Sequence, residues 1–155
     1  MSEHTSIYRE KEFIYKNYRC VINFRNLGFR TGYVEIPVDH PLYGVDGDNL
    51  DIDCHGGITW ANEELPGNTE GEGDSWWIGF DCAHYADGED LETAKKYFAD
   101  DESSMRMIEL KLDMRRQFPI SYDEHIWTIE EVENELKHVV DQLIEEKEGK
   151  ERWHE

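Results

Sequence analysis

The stretch SWWIGFDCAH, residues 75–84, decides the fold. Trp76, Ile78, Phe80, Cys82 and His84 fall on one side of an extended chain, and Trp77, Gly79, Asp81 and Ala83 on the other. A period of two over this length predicts a strand with one face in a core. Three neighbouring stretches extend the pattern. YRCVINF (18–24) and GYVEIPV (32–38) are rich in β-branched and aromatic residues and read as a hairpin joined by NLGFRTG. In LDIDCHGGITWA (50–61), Leu50, Ile52, Cys54, Ile58 and Trp60 share one face, and Asp51, Asp53, His55 and Thr59 the other. Four such strands make a half-buried antiparallel sheet.

The second half changes period. DLETAKKYF predicts a short helix capped by Asp90. In SSMRMIELKLDMRRQF, Met105, Ile108 and Leu112 fit a helix, while Ile108, Leu110, Leu112 and Met114 fit a strand. Helix is favoured, with Ser103 or Ser104 as its cap. The last helix is marked by the capping pattern Thr128-x-x-Glu131, with Trp127 and Val132 at the staple positions. Its stripe of Ile129, Val132, Leu136, Val139 and Leu143 would pack on the sheet; the alternative is a homodimer seam through 128–148.

The expected fold is therefore α+β, an antiparallel sheet of about four or five strands packed against two or three helices, including a long C-terminal amphipathic helix. One domain spans 1–149, with the sheet mainly in 18–84 and the helices mainly in 90–149. Residues 150–155 are expected as a frayed tail.

Composition bounds the function. The net charge of −20 is concentrated in residues 35–104, which carry 2 basic and 19 acidic side chains. Such a surface repels a phosphate backbone, which argues against direct nucleic-acid binding. It suits a basic protein partner, a cation or plain solubility. No apolar run is long enough for a membrane span, and the N-terminus lacks a signal-peptide core, so a cytoplasmic protein is expected. Cys20, Cys54 and Cys82 read as reduced, small apolar residues rather than a disulfide framework.

The candidate site comes from pairing 50–61 with 75–84. In the register where opposed residue numbers sum to about 136, His55 faces Asp81, Gly57 faces Gly79 and Thr59 faces Trp77. Paired glycines would leave a floor without side chains, and Trp77 would offer a stacking wall. Asp81 would fix the tautomer of His55, freeing the other nitrogen as a ligand contact or general base. The expected ligand-binding set is His55, Gly56, Gly57, Thr59, Trp77, Gly79, Asp81 and His84, with His55 and Asp81 as catalytic candidates. A structural hydrogen bond between His55 and Asp81 is the plainer alternative. No cofactor is expected; a divalent metal on His84 and Asp87 is a weaker reading, and the closed ligand sets of structural zinc are missing. No P-loop, dinucleotide fingerprint, zinc-protease motif or nucleophile elbow is present.

The strings YRCVINFRNLGFRTGYVEIPVDHPLYG, HGGITWA and WWIGFDCAHYAD together resemble a group of small hypothetical proteins of phages and prophages. The likeness covers roughly residues 18–87 and, more loosely, 126–145. It implies His40, His55, Asp81, Cys82 and His84 as motif positions, and an accessory role in the host cytoplasm during infection. No reaction comes with it. The leading expectation is an anti-defence protein that binds or sequesters a small molecule such as a nucleotide signal. The alternatives are a hydrolase, with or without metal, acting on such a ligand, and an acidic inhibitor docking on a basic host defence protein.

Overall fold

A computed structural model describes residues 6–67, 75–84, 86–119 and 124–153, the side chains of 150–153 excepted. Five strands, β1 (Ile7–Tyr15), β2 (Tyr18–Arg25), β3 (Arg30–Ile36), β4 (Trp60–Asn62) and β5 (Trp76–Asp81), form one sheet in the order β1-β2-β3-β5-β4. Every neighbouring pair is antiparallel. Three helices follow: α1 (Leu91–Phe98), α2 (Glu102–Gln117) and α3 (Ile129–Trp153). The α+β expectation holds.

The alternation in 75–84 does what its period implies. Ile78 and Phe80 of β5 join Cys20, Ile22, Val34 and Ile36 on one face, and α3 lays Val132, Leu136, Val139, Val140 and Leu143 across them. Val132, Leu136, Val139 and Leu143 of the stripe are thus buried within one chain at 0–1% exposure, and Ile129 is partly buried against the same core. Gly32 permits the close approach: a Cβ there would meet Leu136, Phe80 and Val132 at 3.0–3.1 Å. The opposite face carries a smaller cluster of Val21, Tyr33, Leu65 and Trp77, with Trp60 against it.

The capping box is formed. Thr128 Oγ1 accepts from the Glu131 N–H at 3.2 Å, and Glu131 Oε1 accepts from the Thr128 N–H at 3.0 Å. Asp90 caps α1 through the Thr93 N–H at 3.1 Å. The cap of α2 is Asp101, which accepts from the Ser104 N–H at 3.1 Å, rather than Ser103 or Ser104. The last helix runs on through Gly149 to Trp153, beyond the point where a frayed tail was expected; residues 154–155 lie outside the described residues.

Two elements depart from the sequence reading. β1 is a strand that the sequence hides, because Arg9, Glu10, Lys11 and Glu12 interrupt any apolar alternation. It is an edge strand, where charges belong. Those charges reach the neighbours: Lys11 pairs with Glu133 of α3, and Arg30 with Glu10. Lys16 and Asn17 turn it into β2 with φ of 49° and 72°, the left-handed pair that a two-residue hairpin requires. Conversely, only Trp60 and Ala61 of the expected strand 50–61 fall in β4 and pair with β5, with Trp60 opposite Gly79. Residues 50–59 keep their alternation because Ile52 is buried and Leu50, Cys54 and Ile58 pack on the same core. Their backbone is held differently: the Gln142 side chain bonds both the N–H and the carbonyl of Asp53, at 2.7 and 2.6 Å.

Candidate functional site

The glycine floor is absent, and the reason is local. Gly56 and Gly57 have φ of 73° and 80°, so they form a left-handed turn instead of a strand. Gly79 is in the sheet, but the Tyr33 ring lies over it. A Cβ on Gly79 would meet Tyr33 Cδ1 at 2.4 Å and the Gly32 carbonyl oxygen at 2.5 Å. Trp77 is 3% exposed and packed with Val21, Tyr33 and Leu65, with the Arg19 guanidinium 5.3 Å from its ring centre. It is a core residue and offers no stacking wall. The register fails too, since Trp60 opposite Gly79 makes opposed numbers sum to 139 instead of 136.

The remaining candidates converge in another arrangement. His55 pairs with Asp87, not Asp81: its Nε2 lies 2.7 Å from Oδ2 and 3.0 Å from Oδ1. Asp87 is buried, and its carboxylate also accepts from Trp127 Nε1 at 3.1 Å and from the His84 N–H at 2.9 Å. A carboxylate only accepts, so a neutral His55 carries its proton on Nε2 and leaves Nδ1 as an acceptor. The His55 ring lies 4.2 Å from the Trp127 indole and 5.5 Å, edge-on, from the His84 ring. Ala86 turns the chain between His84 and Asp87 with φ of 76°, an uncommon conformation for a residue with a Cβ. Segment 124–127 is bound to that turn through the His125 N–H to the Ala86 carbonyl (2.9 Å) and the Gly88 N–H to the His125 carbonyl (2.8 Å), which brings Trp127 over Asp87.

Asp81 and Thr59 stand beside this group. Asp81 accepts from Thr59 Oγ1 at 3.3 Å and from the Ala83 N–H at 3.1 Å. His84 Nε2 lies 3.1 Å from Asp81 Oδ1 but outside hydrogen-bond geometry, and that nitrogen is buried without a bonded partner. The ring fills the space above Gly56, where a Cβ would fall 2.1 Å from His84 Nε2. His84 and Asp87 touch through main chain to carboxylate. Among the described residues no group of three or more His, Cys, Asp or Glu side chains is arranged to hold a metal.

On the other side of His84 and Asp87 lies a cavity of about 400 Å³, lined by Leu27, Phe29, Cys82, Lys111 and Arg115 as well as Ala83 and Glu89. Lys111 Nζ is 2.9 Å from Glu89 and Arg115 Nη1 3.3 Å from it; Arg115 also pairs with Glu124. Sequence reasoning missed Phe29, Lys111, Arg115 and Trp127 as site residues. Lys111 and Arg115 left one signal, a basic pair four apart on one helix face. Trp127 left none, being 40 residues from its partner Asp87.

The other motif positions are structural. His40 is 3% exposed; its Nε2 is 2.7 Å from the Leu143 carbonyl oxygen, and its Nδ1 accepts from the Leu42 N–H at 3.0 Å. It latches the loop after β3 onto α3. Burial pushes all three thiols up, Cys20 and Cys54 to about 12 and Cys82 further, so none is a nucleophile at neutral pH. No helix among the described residues is long and apolar enough to cross a membrane. Compared with family models, with curated proteins and with solved structures, the chain matches none.

Proposed function

We propose that the protein captures a small molecule of the nucleotide class in the cavity between the His84–Asp87 turn and α2. One observation carries this reading. In a chain of net charge −20 with 16 Lys and Arg, two of those cations, Lys111 and Arg115, converge on one cavity that the His84 ring also lines. The volume is at the lower end of ligand cavities. Leu27, Phe29 and Cys82 supply apolar wall, the His84 ring a further wall, and Lys111 and Arg115 an anion contact that would replace Glu89. The resemblance to phage proteins supports an accessory role in the host, with the captured molecule a signal of host defence.

Calorimetry with a panel of linear and cyclic nucleotides tests this. At least one is expected to bind, with affinity falling at least ~10-fold in His84→Ala and in Arg115→Ala. No binding across the panel, or binding untouched by both variants, would contradict it. A second reading is hydrolysis of a ligand held on the His55 side of the turn rather than in that cavity; it is favoured by the orientation of His55 on Asp87, which leaves Nδ1 as an acceptor. Product detected by mass spectrometry with wild type and lost in His55→Gln would select it over passive capture.

A further inference from the structure

Helix α2 carries two apolar stripes, and one of them is uncovered. Met105, Ile108 and Leu112 face inward, against the cluster of Phe24, Ala94 and Phe98. Met107, Leu110, Met114 and Phe118, spaced 3, 4 and 4, form a second line along the helix and its C-terminal cap. They are 53%, 56%, 57% and 71% exposed. Single exposed apolar side chains are ordinary; four in one line mark an interaction surface.

We propose that this stripe is a self-association surface, on which a second copy of the chain lays its own α2 antiparallel. Two observations choose that occupant. The first is charge complementarity. Arg106 and Asp113 lie seven residues apart on the same flank of the stripe, and in a two-fold pairing each flank meets itself. When Met107 packs beside Leu110 of the second copy, Arg106 faces Asp113 of the second copy, and the reverse pair forms by symmetry. In the same register Met114 lies over Ser103 of the second copy, a residue small enough to receive it. The second is location. Residues 102–117 hold four basic and three acidic side chains, whereas the chain as a whole is at −20. Two acidic copies repel less where they meet through α2 than through the acidic middle of the chain. Asp113 now pairs within its own helix with Arg116 at 2.7 Å; both side chains are more than half exposed, so exchange of partner costs little. One helix face is a small interface, which places the affinity at roughly micromolar or weaker.

Sedimentation velocity on the full chain, from about 5 to about 200 µM, reads the result. The dimer fraction is expected to rise with concentration. It is also expected to rise as salt increases from about 0.05 to about 0.5 M, because screening relieves repulsion between the copies. Leu110→Glu should weaken association at least ~10-fold with unchanged circular dichroism, since the side chain is exposed. Arg106→Asp and Asp113→Arg should each weaken it alone, and an equimolar mixture of the two should recover it as a heterodimer. A chain that stays monomeric throughout overturns the proposal, and the stripe then receives a different protein. A dimer indifferent to Leu110→Glu overturns it as well. A mixture that associates no better than the single variants overturns the antiparallel register.

Discussion

The His55 imidazole is bonded to a carboxylate 32 residues away: Nε2 lies 2.7 Å from Oδ2 of Asp87, beneath the Trp127 indole. Three parts of the chain meet there, the turn after residue 54, the turn after β5 and the approach to α3. Asp87 is the hub, since its two oxygens serve His55, Trp127 and the His84 main chain. Asp87→Asn puts an amide donor among those donors. The expected cost is about 2–4 kcal/mol in urea unfolding, together with a change in the His55 tautomer seen in its imidazole nitrogen shifts. A variant of wild-type stability with an unchanged tautomer would show that Asp87 is not the hub.

The glycines separate packing from backbone conformation. Gly79→Ala drives a Cβ to 2.4 Å from the Tyr33 ring and 2.5 Å from the Gly32 oxygen, so backbone must shift in the middle of the sheet. A loss of at least ~3 kcal/mol is expected. Gly57→Ala meets nothing within 4 Å and bears only the strain of φ 80°, about 1 kcal/mol. Equal losses in thermal or urea unfolding would contradict the close contact of Tyr33 with β5.

Arg30 anchors the elements that hold the site. Its guanidinium grips Glu10 of β1 at 2.7 and 3.1 Å, Asp90 at 3.2 Å and the Trp127 carbonyl at 2.8 Å, with side-chain exposure of 6%. Arg30→Met strands the buried Glu10 and should cost about 3–5 kcal/mol. Burial pushes the Asp90 carboxyl up, but hydrogen bonds from Thr93 and Arg30 outweigh it and hold the group below its ordinary 3.8. A carboxyl lowered on folding stabilises above its unfolded pKa and loses that contribution as pH falls through the folded one. Asp90→Ala should therefore cost about 1 kcal/mol at pH 7, and the gap to wild type should close below the ordinary 3.8. A pH-independent gap in urea unfolding would contradict this.

How much the sequence revealed follows from how local each feature is. The alternation in 75–84, the Asp90 cap of α1 and the Thr128 capping box of α3 depend on near neighbours, and they are legible. Gly56 and Gly57 were legible as special but not as a turn, because alternation in 50–59 comes from packing Ile52 and Ile58 on the core, which needs no strand pairing. Period-two alternation puts Trp77 on the face opposite the main core, but alternation carries no sign that Tyr33 and Leu65 close over that face. Asp87 shows in the sequence only as a weak metal ligand, since its partners His55 and Trp127 are 32 and 40 residues distant. The ambiguity of 103–118 also has a structural cause: a helix with two apolar stripes mimics a strand when both are read together.

The central claim is that the cavity beside His84 is a ligand site. It is tested most directly by amide chemical-shift mapping of the labelled protein during titration with the nucleotide panel. The account predicts shifts concentrated at Phe29, Ala83, His84 and Lys111, which line the cavity, and none at Trp77 on the other face of the sheet. Shifts centred on Trp77, or no shifts with any nucleotide of the panel, would contradict it.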